Sequence, residues 1–218
     1  MIVNYATSKS GAERIVADIV AAGGKAATIQ GDFSKPDDIS RVYAEIKSTH
    51  GRLDVLVNNA GVYAYGPIEE VTVEEYRRQF DLNVLSLLLS TKEAISLLGP
   101  EGGSIINFGS GAGKMPPPYS SIYCGTKGAL DSITVSLSKE LGGRRIRVNA
   151  LNPGLIETEG TASGGILESE FSKLSLNATP LGRLGRPEDI AGVAVFLASN
   201  DSFWVTGQQI IAAGGMTM

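Results

Sequence analysis

The stretch Leu53–Gly61 reads LDVLVNNAG. It is an apolar strand that turns polar at Asn58 and Asn59. A strand whose apolar run lacks polar alternation is buried on both faces, as strands of a parallel sheet are. Parallel strands need crossovers, and the flanking sequence supplies helices for them. Ser34-Lys35-Pro36-Asp37 opens one helix, with Pro near the first turn. That helix turns Ile39, Val42, Tyr43 and Ile46 inward and stops near Gly51. On the other side, Thr72-Val73-Glu74-Glu75 is a capping box that opens a long helix.

Further out the alternation continues. Ile2–Ala6 is a short strand, Ser8–Gly11 a turn, and Ser10–Ala22 a helix with Ile15/Ile19 and Val16/Val20 at i, i+4 spacing. Gly23-Gly24 ends that helix and Lys25–Gln30 forms the next strand. SIINFGS (104–110) is a strand, Tyr119–Leu141 a long helix, and RIRVNALNPG (145–154) another strand. Arg186-Pro187-Glu188-Asp189 starts a helix containing Ile190, Val193, Ala194 and Leu197, and GQQIIAAGG (207–215) is the last strand. Residues 155–184 have no single period and read as a long functional loop or a small helical insert. The pattern predicts one α/β domain over 1–218, a doubly wound parallel sheet with helices on both faces.

Composition excludes several classes. The chain has 218 residues, 43% hydrophobic, which suits one domain with a sizeable core. Its net charge of −4 offers no electrostatic footprint for nucleic acid or an anionic membrane. No run reaches the length of a membrane span, and no signal peptide is evident. The one cysteine, Cys124, cannot form an internal disulfide, which points to a reducing, cytoplasmic setting. One His and one Cys make a zinc site implausible.

Tyr123-Cys124-Gly125-Thr126-Lys127 carries the chemistry. Tyr and Lys four apart share one helix face. A nearby ammonium favours the phenolate, so the spacing predicts a Tyr123 pKa lowered toward neutrality and a general acid/base. Ser110 ends the preceding strand, Asn58–Gly61 the one before it, and Asn152-Pro153-Gly154 the one after. All three lie at the carboxyl edge, where open α/β sheets place ligands. Turns favour Asn, Gly and Pro in any case, but their coincidence around Tyr123 and Lys127 points to a site.

In NNAG (58–61), Asn83, Ser110, YCGTK (123–127), NPGLIET (152–158) and GQQIIAAGG, the chain resembles the short-chain dehydrogenase/reductases, over essentially its whole length. Its tail is most similar to members described as 3-oxoacyl-carrier-protein reductases or glucose dehydrogenases. The resemblance implies a Rossmann-like fold and an NAD(P)-dependent oxidoreductase acting on a small-molecule carbonyl or secondary alcohol. It implies that Tyr123 is the acid/base, that Lys127 lowers its pKa and holds the nicotinamide ribose, and that Ser110 holds the substrate oxygen. Asn83 would anchor a water linking Lys127 to solvent. Asn58, Ala60, Gly61 and Asp32 would line the adenosine side, and Pro153, Gly154, Ile156 and Thr158 the carboxamide side. Asn4, with Ser8 and Lys9 close by, stands where an acidic residue would favour NAD; with no carboxylate there, NADP(H) is the preferred cofactor over NAD(H). Residues 155–184 would form the substrate-binding loop. Members are commonly tetramers, so a homo-oligomer is expected.

Two departures stand out. Phe108-Gly109-Ser110 keeps only the second of the family's two serines, and Pro116–Pro118 stiffens the substrate entrance. The family also opens with a strand, a glycine-rich TGxxxGxG turn and a helix. Here roughly 30 residues of that unit are not seen ahead of Ile2. GSGAGK (109–114) does not replace it, because Met115 and three prolines follow instead of a helix. The expected strand belongs in the centre of the sheet, so apolar surface should be exposed beside residues 1–30. Three readings stand. The recorded start is wrong or the chain is a fragment; the first strands close the gap or pair with another subunit; or the chain is a relic that cannot bind cofactor.

The remaining polar clusters read as surface. Glu69, Glu70, Glu74 and Glu75 suit a helix start, Arg144, Arg145 and Arg147 a solvated edge, and His50 a helix end. Cys124 reads as a buried or interface thiol, and Trp204 as an interface or core anchor.

Overall fold

The computed structural model describes residues 1–216. β1 (Ile2–Tyr5) and β2 (Ala27–Gln30) flank α1 (Lys9–Ala21) and pair in parallel, Ile2 opposite Ala27. α1 ends where Gly23 turns left-handed at φ 84°, and the Gly24 N–H closes back on Ile19 O at 2.9 Å. α2 (Pro36–His50) has Pro at its start, Asp37 and Asp38 in its first turn, and Gly51 at φ 72° as its stop.

β3 (Val55–Asn58), β4 (Gly103–Phe108), β5 (Ile146–Pro153) and β6 (Gln209–Ala212) form a second parallel sheet in the order β3-β4-β5-β6. Between β3 and β4 one continuous helical stretch comprises α3 (Val73–Phe80), a π turn (Asp81–Leu85) and α4 (Ser86–Ala94). α5 (Ser121–Leu141) crosses from β4 to β5. The 155–184 region holds two short helices, α6 (Glu159–Ser163) and α7 (Glu170–Asn177), before α8 (Pro187–Ala198).

The two sheets share one core. Ile39, Val42, Tyr43 and Ile46 of α2 pack in the same cluster as Leu56, Leu97, Ile105 and Val148. The opposite face of the four-stranded sheet packs Ile106 and Leu151 against Ile190 and Leu197 of α8. Helices cover both faces of a parallel sheet, the Rossmann-like architecture expected.

Three expectations change. Val57 of β3 is 48% exposed, so the LDVLVNNAG strand is not buried on both faces. β3 is an edge: it pairs with β4 alone, and β1 pairs with β2 alone. Between β1 and β3 lies a slot of about 840 Å³, lined by Ile2 and Asn4 on one side and Val55 and Val57 on the other. β1 therefore does not close onto β3, which removes the closing of the gap within the chain. Ile15 and Val20 of α1 are exposed for the same reason, since a two-stranded sheet gives that helix little to pack on, and only Ala12 is buried. Finally, Trp204 is 89% exposed and anchors no core within the chain. No helix among the described residues is long and apolar enough to cross a membrane.

Candidate active site

α5 begins at Ser121, two residues later than the sequence predicts, because Tyr119 takes a left-handed φ of 65°. Tyr123 therefore sits in the first turn and Lys127 one turn on. Ser110 follows β4 and accepts a hydrogen bond from the Ala112 N–H at 3.2 Å. The Ser110 hydroxyl is also close enough to Tyr123 to act on its pKa, so the two hydroxyls face each other across the β4–α5 connection.

Lys127 is buried, 7% exposed. Its ammonium donates to Phe108 O at 2.9 Å and lies 5.8 Å from the Tyr123 ring centre. Burial lowers its pKa to about 8, against the attraction of Asp131. Asp131 sits four residues further along α5, buried, ion-paired to Lys114 at 3.1 Å and accepting from Asn152 Nδ2 at 3.0 Å. Sequence reasoning missed Asp131, although its i+4 spacing from Lys127 was there to be read. Lys114 of GSGAGK is thus spent on Asp131.

Tyr123 reverses an expectation. Its pKa is raised, because burial of the ring outweighs the lowering effect of the Ser110 hydroxyl. The i, i+4 spacing suggested that Lys127 would dominate; desolvation does instead. The proton is held firmly at neutral pH.

Asn83 lies in the π turn, a geometry often found at functional sites. Its side chain clamps the loop after β3. Oδ1 accepts from the Val62 N–H at 2.8 Å, and Nδ2 donates to Val62 O at 2.8 Å and to Thr126 Oγ1 at 3.0 Å. Both amide hydrogens are spent, so a water held by this side chain must meet Oδ1. A Cβ on Gly61 would sit 3.2 Å from Asn83 Oδ1 and 3.7 Å from Lys127 Nζ, which brings NNAG onto the Asn83–Lys127 group.

The cofactor-side residues divide. Ala60, Gly61, Asn4 and Asp32 all line the slot, together with Asn58 and Asn83. Asn58, however, turns its amide into the sheet, donating to Asn107 Oδ1 at 2.9 Å, and ties β3 to β4. Asn4 Nδ2 bridges Ile29 O and Gly31 O, both at 3.2 Å. Asp32 accepts from the Ser34 N–H and hydroxyl, which lowers its pKa, and its own N–H goes to Asp38. Ser8 precedes α1 and Lys9 pairs with Glu13 at 3.6 Å; neither lines the slot. Pro153 closes β5, and Gly154 packs against Ala213 too closely for a Cβ. Thr158 caps α6 through a reciprocal bond with Thr161, whose hydroxyl also donates to Ile156 O at 2.8 Å. The expected carboxamide residues thus face one another around the start of α6.

A nicotinamide cofactor can be tested against these residues. Lys127 has three N–H groups and one protein acceptor, so two donors remain on a buried ammonium beside Tyr123 and Gly61. Unspent buried donors of that kind fit ribose hydroxyls. Among the described residues no three His, Cys, Asp or Glu side chains gather as they would to hold a metal ion.

The model of the family described as Enoyl-(Acyl carrier protein) reductase matches residues 1–217. An uncharacterised oxidoreductase of Methylorubrum extorquens is 52% identical over 216 residues, 99% of this chain and 87% of that protein. A short-chain dehydrogenase/reductase of Pestalotiopsis microspora is 39% identical over 225 residues, 99% of this chain and 84% of that protein. Among solved structures, the angucycline C-6 ketoreductase LanV with bound NADP has a TM-score of 0.89 at 35% identity, covering 98% of this chain and 84% of that one.

Proposed function

This chain belongs to the short-chain dehydrogenase/reductase family, and from that premise we propose that it interconverts a small-molecule ketone and its secondary alcohol, with Tyr123 as acid/base and NADP(H) as cofactor. The observation that carries this reading is the buried Lys127 with two N–H groups unspent, next to Tyr123 and Ser110. NADP(H) supplies or takes the hydride when bound. Ser110 donates a hydrogen bond to the substrate oxygen and holds it within reach of the Tyr123 hydroxyl. Tyr123 gives its proton to that oxygen in reduction and takes it back in oxidation. The raised Tyr123 pKa suits the reductive direction at neutral pH, where the proton is still present to give. Lys127 holds the ribose, and with a water at Asn83 Oδ1 returns a proton to Tyr123. The LanV structure with bound NADP supports this choice of cofactor, and Asn4 presents no carboxylate to a 2′-phosphate.

Self-association belongs to the same reading. Phe203, Trp204 and Val195 are 74%, 89% and 67% exposed, an apolar group suited to a second copy of the chain.

One observation favours a second reading, a folded chain that binds no cofactor: on the slot's rim, Asn4 and Asp32 already spend polar groups on the protein itself. Titrating NADPH and NADH against the folded chain decides between them. The oxidoreductase reading expects micromolar NADPH binding, weaker NADH binding, and a 10²–10⁴-fold loss of turnover in Tyr123→Phe with binding retained. No binding at millimolar cofactor overturns it.

A further inference from the structure

We propose that the substrate is a planar aromatic ketone or its alcohol, whose ring is held by Tyr63 and Tyr65 beside Tyr123; this rests on the oxidoreductase reading of the same site. Three tyrosine rings meet at the acid/base. Tyr63 and Tyr65 lie 6.3 and 5.9 Å from the Tyr123 ring, both edge-on at 73° and 69°, and 6.0 Å from each other. Tyr123 is partly buried in this group, while Tyr63 and Tyr65 remain 39% and 47% exposed. Aromatic surface therefore stands open to a ligand next to the hydroxyl that handles the proton.

The loop that carries Tyr63 and Tyr65 is also fixed in place. The Asn83 clamp holds Val62 on both its N–H and its carbonyl. Arg78 donates to Tyr63 O, Gln79 donates to Ala64 O, and the Gly66 N–H donates to Tyr119 O at 2.8 Å. The Tyr63 hydroxyl donates to Gly160 O of α6 at 3.3 Å, which couples one wall to the 155–184 region. Rigid tyrosines offer large contact area at little entropic cost to binding. An aliphatic ring of the same size fills the same space, but it lacks the quadrupole that edge and face contacts use.

The test compares 1-tetralone with 1-decalone, which share a carbon skeleton and a carbonyl position and differ in aromaticity. NADPH oxidation reports kcat/KM, and calorimetry reports Kd for both ketones. The inference expects about a tenfold preference for 1-tetralone in both measurements, the aromatic gain of one to two ring contacts. In Tyr65→Leu, which keeps apolar bulk, the ratio should fall to within about threefold. Equal kcat/KM and Kd for the two ketones in the unaltered protein overturn the aromatic assignment and leave the oxidoreductase reading standing. A ratio unchanged in a folded Tyr65→Leu also overturns it. If neither ketone is reduced, the calorimetric ratio still decides whether the site prefers aromatic rings, and the NADPH titration decides the oxidoreductase reading separately.

Discussion

Lys127 illustrates what a single residue costs the fold. A lysine ordinarily titrates near 10.5; burial brings this one to about 8. Below pH 8 both folded and unfolded chains carry the proton, and the folded state bears the expense of a buried ammonium. Between about 8 and 10.5 the unfolded chain holds more protons than the folded one, so stability rises with pH. Lys127→Met should therefore raise stability by about 1–3 kcal/mol at pH 7, an advantage that shrinks as pH climbs through that window. Urea denaturation at pH 7 and pH 10 checks both the size and the direction. Gly109 makes the opposite case. A Cβ there would lie 1.8 Å from Asn152 Oδ1, so the missing family serine reflects a packed site. Gly109→Ala should destabilise by about 1–3 kcal/mol, measured the same way, because Asn152 must move and its hydrogen bond to Asp131 is lost.

At the level of elements, the π turn is the piece the periodicity of the sequence could not show. Thr72 was readable as a cap, and it does accept the Glu75 N–H at 3.1 Å. The reciprocal half of the capping box is absent, because the Glu75 carboxylate pairs with Arg78 and Gln79. Past Phe80 the backbone widens from α3 into the π turn and turns Asn83 toward Val62. Asn83→Ala removes three hydrogen bonds and should cost about 2–4 kcal/mol. Its amide-exchange signature should be local, with faster exchange in residues 61–66; unchanged exchange there would show that the loop holds itself. Tyr63 and Tyr65 escaped the sequence reading because two tyrosines in a loop have no partner until α5 brings Tyr123 beneath them.

The whole molecule is two parallel sheets joined by helices rather than by strand pairing. β1 and β2 depend on α2 packing against the cluster that holds Leu97, Ile105 and Val148. A two-stranded sheet is marginal alone, whereas β4 and β5 are paired on both sides and nearly fully buried. Native-state hydrogen exchange should find β1, β2 and α1 opening at a free energy at least about 2 kcal/mol below that of β4 and β5. Uniform protection across both sheets would mean the slot between β1 and β3 does not divide the molecule's cooperativity.

The sequence by itself determined the parallel α/β architecture, the order of its elements and the Ser110–Tyr123–Lys127 group. These rest on local signals: apolar period, Pro and Gly at helix ends, and i, i+4 spacing on one helix. Tertiary structure alone decided the rest. Whether Val57 is buried depends on what lies across the slot; whether Asn58 faces ligand or sheet depends on Asn107, forty-nine residues away. The direction of the Tyr123 pKa shift follows from how much of the ring is shielded from water, and shielding is a sum over neighbours that the sequence does not place side by side.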